Sequence, residues 1–499
     1  MTDPQQPISR RAARNAAAGP PVSSSTEPGT AADDSAAHKR VILIAVAAAV
    51  TFLLLGTGAV FAGLGTGKRA TPVASPTVST PTPASRAVPA DEVAAAGIPT
   101  CSISALATKT TLGKLYGSVL TTSGGQALYT ALPDDPQAPA SGLKLLTAAA
   151  AIAKLGPNFQ ITTKVVDGVT PGSITLVGEG DPTLSAVAAG DSVYTGAPTM
   201  ASLASKTVAA YNIAHPGVPI TQVVLDSTYW DPTDNWNSAV PRSEQTGGFL
   251  SETTALQVDG DRQNPKLQVS PRSSDPIAAA GKAFAAALAS ALGQSIPINV
   301  TTGQQEDGAP TLASVKSQPV SVLVKQMLLN NDDTLAESLA RIISVQENLD
   351  GTSSSIQQAI TQALAGYGLD TSGLSIGDGS GESPDSAIPA SFMAKFMALV
   401  NQGKGNMAYV KAGIPLAGRT GGLMGRFIGG ASAGVGHVFA MPGSISNAYT
   451  LTGYMTAKDG TGLSFAFFAE GGGVTASANA TLDALASAVY SCGKNLTTY

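Results

Sequence analysis

LPDDPQAPASGLKLLTAAAAIAKLGPNFQITTKV, from Leu132 to Val165, is the stretch from which the rest of the 499-residue chain can be read. Its middle is dense in Leu, Ala and Lys, all good helix formers, with Pro139 near the start and Gly156 just past the end. Proline suits a helix's first turn and glycine its terminus, so the pattern predicts one helix over 141–155. Ser141 and Lys144 stand three residues apart and would project from one face about one turn apart. A serine hydroxyl is a weak nucleophile until a base takes its proton, and a partly desolvated lysine can serve as that base. The helix N-terminus would favour the developing negative charge. S-x-x-K is common by chance, so its surroundings decide what it means.

Upstream, LYGSVLTTSGGQALYTAL (Leu115 to Leu132) places two β-rich runs around Ser123-Gly124-Gly125 and reads as a hairpin. Far downstream, NAYTLTGYMTA and LSFAFFAEG are two alternating runs joined by the turn residues Lys458 to Gly462, a second hairpin. TASANATLDALASAVYSC, ending at Cys492, has helical periodicity. Strands at both ends of the globular region with helices between them predict an α/β sheet assembled from distant parts of the chain.

Residues 1–40 mix Pro, Ser, Ala and Gly with charges of both signs and no hydrophobic period, as expected of a disordered tail. Residues 41–65, VILIAVAAAVTFLLLGTGAVFAGLG, carry no charge and are long enough, at about 1.5 Å per residue, to cross a hydrocarbon core of about 30 Å. The preceding 40 residues and the length of the apolar run favour a retained signal anchor over a cleaved signal peptide. Arg10, Arg11, Arg14, Lys39 and Arg40 place the N-terminus in the cytoplasm, although Lys68 and Arg69 weaken the asymmetry. The Pro, Ser and Thr of 66–98 make an extended spacer.

Hydrophobic residues make up 43% of the chain and charged residues 13%, a globular balance that names no chemistry. A net charge of -5 and a pI near 5.3 supply no basic footprint, which argues against nucleic-acid binding. His38, His215 and His437 are scattered without the spacing of a zinc site, so no metal and no cofactor is expected. Cys101 and Cys492 sit near the two ends of the extracytoplasmic part and invite a disulfide; two buried thiols are the other reading.

The stretch around Ser141 resembles the nucleophile segment of the class C low-molecular-mass penicillin-binding proteins, the D-alanyl-D-alanine carboxypeptidase/endopeptidase family. GSITLVGEGDPTLS (Gly172 to Ser185) is similar to that family's strand and Gly-Asp-Pro-Thr-Leu turn, and GDGSGES (Gly377 to Ser383) to its Asp-Gly-Ser-Gly loop. In the family's order these points cover roughly residues 99–490. The resemblance implies a serine β-lactamase/transpeptidase-like α/β domain over 99–158 and 321–499, interrupted by a large inserted domain at 159–320 and preceded by one transmembrane helix. It also implies a bacterial protein held at the cell membrane by a single span, with its catalytic domain outside the cytoplasm.

The family's second motif, S-x-N, falls on Asn331, Asp332 and Asp333 within MLLNNDDTLAESLAR. Asn331 lacks a hydroxyl to relay a proton, and an ionised Asp333 would oppose both loss of the lysine proton and an incoming carboxylate. The third motif, K-T-G on a strand edge, is expected at Arg419-Thr420-Gly421-Gly422, where Arg419 and Thr420 would hold a terminal carboxylate. The resemblance assigns the oxyanion hole to the N–H groups of Ser141 and Gly422. The implied reaction is acyl transfer on peptidoglycan stem peptides by Ser141 and Lys144, with β-lactams as covalent inhibitors. A wall-binding or scaffold protein that kept the fold and lost turnover is the alternative. A β-lactamase lacks a clear E-x-x-L-N segment here, and a metal-dependent peptidase lacks ligands.

Overall fold

The computed structural model describes residues 100–293 and 297–497. The expected tail (1–40), anchor (41–65) and spacer (66–98) all lie outside them. No helix among the described residues is long and apolar enough to cross a membrane.

The first hairpin forms as expected: β1 (Lys114–Thr121) pairs antiparallel with β2 (Ala127–Ala131), with Gly117 opposite Ala131. The predicted helix divides in two, a 3-10 turn at Ala140–Leu143 running into α1 (Lys144–Leu155). Leu145 to Ile152 are buried along its length, which is why this segment carries so little polar sequence.

A second sheet follows. It contains β3 (Thr162–Asp167), β4 (Ser173–Gly178), β5 (Gln222–Asp226), β6 (Asn299–Thr302) and β7 (Thr311–Lys316), in the order β6-β5-β4-β3-β7. The pairs β4–β5 and β5–β6 are parallel and therefore need crossovers, supplied by α2 (Met200–Ala214) and α3 (Pro276–Leu292). Val165, Ile174, Leu176, Leu203 and Phe284 build a core that belongs to this sheet alone.

Past β4, Asp181 is buried with Oδ1 accepting from Thr183 N and Oγ1 while Oδ2 has no hydrogen-bond partner. Burial pushes its carboxyl up to about 6, against the pull of the Thr183 bonds. A carboxyl raised in the fold stabilises it fully below the ordinary value of 3.8, and that contribution is lost as pH rises through about 6. Stability should therefore fall between about pH 4 and 6, and Asp181→Asn should flatten part of that slope in urea titrations at several pH values. An unchanged slope would remove Asp181 as a cause.

The chain then returns through α4 (Val320–Asn330), α5 (Asp333–Gln346), α6 (Ile356–Leu364) and α7 (Ala390–Gln402). It ends with β8 (Val438–Ile445), β9 (Ala448–Thr456), β10 (Gly462–Glu470) and α8 (Ser477–Cys492). The first sheet is antiparallel with the order β2-β1-β10-β9-β8, so the N-terminal hairpin joins the C-terminal one. LSFAFFAEG reads as an alternating strand, yet both faces of β10 are buried. Ala466 and Phe468 enter the core shared with α1 and α7, whereas Phe465, Phe467 and Ala469 enter the core beneath α8. A strand covered on both sides needs no polar alternation.

Cys101 and Cys492 are bonded, with Cα atoms 5.5 Å apart although the two residues are 391 positions apart in sequence. Beside them Cys101–Ser102 pairs with Leu496–Thr497, so the two ends of the folded region are stapled together. Closing so long a loop restricts the unfolded chain, and its loss should cost about 2–4 kcal/mol. Cys101→Ser should show this as a lowered urea midpoint that reducing agent does not lower further. Equal midpoints for variant and oxidised protein would refute it.

Candidate active site

Ala140, between Pro139 and Ser141, has φ 46°, an uncommon conformation for a residue with a Cβ. It sets the 3-10 turn that carries Ser141 into α1. The Ser141 side chain is buried and its Oγ has no hydrogen-bond partner, Lys144 included. Lys144 is fully buried and engaged elsewhere: Nζ donates to Ser380 O at 2.8 Å and forms an ion pair with Asp333 Oδ1 at 2.5 Å. An ammonium taken out of water needs such a counter-charge. Serine and lysine therefore share one turn, as the spacing required, but the amine is paired with a carboxylate and makes no hydrogen bond to the hydroxyl.

The Asp378-Gly379-Ser380-Gly381 loop, read above as similar to the family's, meets α1 through its carbonyls. Ser380 O accepts from Lys144 and Gly379 O from Thr147 Oγ1. Glu337 on α5 in turn accepts from Gly379 N and Ser380 N, and Asp378 accepts from Gly381 N and Ser383 N. Burial raises both carboxyls, Asp378 well above the usual range, and the charge of Glu337 pushes Asp378 further. Gly381 has φ 83°, and a Cβ there would run into Ala140 O, so the loop packs directly on the nucleophile turn. Nothing in the local pattern around Glu337 marks it, because its partners lie 42 and 43 positions away.

The three residues expected at the second motif separate in role. Asn331 caps α4 in the left-handed region with φ 52°, and its Oδ1 is buried without a hydrogen-bond partner. Asp332 caps α5 by accepting from Leu335 N and is paired with Arg262 Nη2 at 2.8 Å. Burial alone would raise the Asp332 carboxyl, but Arg262 and Arg272 overcome it and hold it at about 2. Only Asp333 reaches the lysine. Arg262, which the sequence reading passed over, follows the second sheet's β5 by 36 positions and anchors this motif from there.

The third motif requires a correction. Arg419 and Thr420 are exposed and lie in a turn rather than on a strand edge; Thr420 Oγ1 accepts from Leu416 N. Gly421 and Gly422 begin a 3-10 turn, and Gly421 takes φ 59° where a Cβ would stand 2.8 Å from Leu329 O. The edge strand beside Ser141 is β8, where a Cβ on Gly443 would lie 2.7 Å from Ser141 N. Two residues back on the same face is Met441, fully buried, at the place that the lysine of a K-T-G motif would take if Gly443 were its glycine. Ala440 N points out of the sheet to Pro415 O, so by alternation Pro442 and Ser444 also face outward. Pro442 has no N–H to offer that edge, which explains its tolerance there. Ser444 N–H, rather than Gly422 N–H, opens beside Ser141 as the candidate oxyanion partner. The M-P-G-S run was legible as a glycine one place before a serine on the strand preceding the hairpin, but its proline and methionine disguise it.

Gly421 and Gly422 nevertheless line the cleft with Asn331, Asp333, Pro442, Gly443 and Ser444, a cavity of about 360 Å³. His215 pairs with Asp167 at 2.7 Å and His437 stacks on Tyr490, both structural uses. His38 lies outside the described residues.

The model of the D-Ala-D-Ala carboxypeptidase 3 (S13) family matches residues 100–267 and 235–489. The chain belongs to this family. A carboxypeptidase of Mycobacterium tuberculosis is 33% identical over 80% of this chain and 85% of its own length. Carboxypeptidase DacB of Mycolicibacterium smegmatis is 32% identical, over 83% and 86% respectively. Penicillin binding protein 4 of Haemophilus influenzae has the same fold, with a TM-score of 0.62 over 76% of this chain and 95% of that one at 19% identity. The resemblance read from the segments around Ser141, Asp181 and Asp378 is thus borne out for S13 membership, and the α/β transpeptidase-like fold with it. Its motif assignment along the chain is what the geometry revises.

Proposed function

We propose that this S13 protein is a serine D-alanyl-D-alanine carboxypeptidase/endopeptidase in which Ser141 attacks a peptidoglycan stem peptide. The carrying observation is Ser141 at the head of α1, pressed against Gly443 of a free strand edge, with Lys144 one turn along. A substrate strand added to that edge would set its carbonyl at Ser141 Oγ, with Ser141 N–H and Ser444 N–H available to the oxyanion. The Oγ–carbonyl bond forms, the serine proton passes by way of Lys144 to the departing amine, and water then releases the acyl group. A β-lactam would acylate Ser141 by the same route; the Haemophilus protein has been solved with a β-lactam bound. Carboxypeptidase relatives support turnover over a purely wall-binding role. Residues 41–65 would anchor the chain in the membrane, with the second sheet as a domain inserted at 159–320 and the whole facing the wall.

The test is labelling of the purified protein with a fluorescent penicillin, beside Ser141→Ala and Asp333→Asn. Labelling should vanish in the first. It should quicken by about tenfold or more in the second, because Lys144 Nζ is released from the ion pair that holds it 2.5 Å from Asp333. Labelling that survives Ser141→Ala would sink this assignment.

A further inference from the structure

We propose that the groove between the loop after β5 and the start of α6 is a second binding site, built for an uncharged, N-acetylated glycan chain. On the reading that the protein works on peptidoglycan, the occupant is the glycan strand that carries the stem peptides.

The groove encloses about 780 Å³, within the range of about 300–1,000 Å³ that small-molecule sites span. Trp236 and Ser238 reach it from the loop, Gln357 and Gln358 from α6, and Gly377 and Asp385 from the two ends of the Asp378 loop. It shares no lining residue with the cavity at Gly443. Its walls are fixed by the protein's own bonds. Asp234 accepts from Arg341 Nη1 at 2.8 Å and from Ser353 Oγ at 2.9 Å. Asn237 Nδ2 donates to Gly377 O, and Gln357 Oε1 accepts from Ile376 N. Trp236 Nε1 donates to Val240 O, and the Arg242 guanidinium stacks 4.3 Å from the centre of its ring. A ring held in this way is a rigid apolar surface in a polar wall.

The lining selects the ligand. It contains no Lys, Arg or His, and Asp234 and Asp385 make it acidic, so phosphates, carboxylates and nucleic acid would be repelled. Trp236 and Ile376 are its only large apolar residues, too few to hold a lipid chain or an apolar helix. The rest is mostly hydroxyls and primary amides, groups that both donate and accept. A sugar ring carries donor-acceptor hydroxyls around its edge and C–H groups on its face, and an acetamido substituent adds one N–H and one carbonyl.

A small chamber beneath the groove shares Trp236, Asn237, Ser353 and Gly377 with it, and at about 10 Å³ takes one water-sized group. Arg341 lines this chamber and is 3% exposed; both Nη atoms are bonded, but its Nε has no hydrogen-bond partner. A buried donor left unmade is costly, so an acetamido carbonyl or hydroxyl oxygen seated there gains a charge-assisted bond. Glu337 and Asp378 line the same chamber and bar an anion from it. The acceptor must therefore be neutral. Gly377 and Asp385 flank the loop whose Gly381 packs on the nucleophile turn. A strand held in the groove thus raises the local concentration of its stem peptides around Ser141.

Calorimetric titration of the full-length protein near pH 7 tests this, with tetra-N-acetylchitotetraose as the neutral glycan and tetralysine as the cationic competitor. Chitotetraose should bind, and Trp236→Ala should weaken it by about tenfold or more. Gln358→Ala with Thr361→Ala, both reaching the groove from α6, should weaken it by about fivefold. Both variants should keep the parent's rate of labelling by fluorescent penicillin, which shows that the fold and Ser141 are intact. If Trp236→Ala does not fold, the paired variant decides alone. No binding of chitotetraose, or binding that the paired variant leaves unchanged, overturns the proposal. So does tetralysine that binds in its place and is lost in the paired variant, because the groove then belongs to a cationic peptide. Failure here is separable from failure of the function: protein that is acylated at Ser141 but ignores chitotetraose keeps the reaction and loses the groove. Glycan binding without acylation does the reverse.

Discussion

Lys144→Met should abolish acylation of Ser141 and lower the unfolding free energy by about 3–5 kcal/mol, the cost of removing one partner from a buried ion pair. Lys144 and Asp333 have side chains 0% and 1% exposed, so water cannot replace the missing charge. Methionine itself is well suited to the surroundings, because Leu143, Leu145 and Met441 are already among the apolar neighbours of this core. The loss therefore reports the stranded carboxylate rather than a packing defect. Replacing both partners, Lys144→Met with Asp333→Leu, should recover most of the stability in urea titrations and none of the acylation. If the single variant is as stable as the parent, the pair contributes nothing and its burial has been misjudged.

Arg262→Met should be comparably severe. Arg262 Nη2 pairs with Asp332 at 2.8 Å with both side chains essentially inaccessible, and Nη1 donates to Tyr194 OH at 2.8 Å. Asp332 is also the cap of α5, the helix that carries Asp333 to Lys144 and Glu337 to the Asp378 loop. Removing the arginine should cost about 3 kcal/mol or more at pH 7 and slow acylation by at least about tenfold through misplacement of α5. The pH dependence has a definite sign. A carboxyl held at about 2 stabilises the fold fully above its ordinary 3.8, and that contribution disappears as pH falls through about 2. The gap between variant and parent should thus persist from pH 7 to about 4 and close below it. A gap that stays constant to pH 2 would mean that packing, and not the ion pair, is responsible.

Glu337 shows why parts of this site were hidden. As one acidic residue in an amphipathic helix it reads as a solvated side chain, yet it is 7% exposed and accepts two N–H groups of the Asp378 loop. The same holds for Ser380, whose carbonyl meets Lys144 across 236 positions of sequence. A backbone carbonyl has no signature in the residue type that carries it.

Local physics reached the hairpin at Ser123–Gly125, the helix after Pro139, the C-terminal hairpin and α8, because turn chemistry, capping and periodicity act over a few residues and are written in order along the chain. It also placed Ser141 and Lys144 on one turn, and the even cysteine pair pointed to the staple between Cys101 and Cys492. Tertiary structure alone decided which strand lies against Ser141. Arg-Thr-Gly-Gly matches the expected motif in composition but turns away, while Met441-Pro442-Gly443 takes the sheet edge because β8 completes the hydrogen bonding of β9 and Gly443 leaves room for the nucleophile turn. It likewise decided that Asp333, not Asn331 or Asp332, meets the lysine. Charge pairing in a buried site depends on distance through space, and residues 189 positions apart in sequence come to 2.5 Å only once the helices have packed.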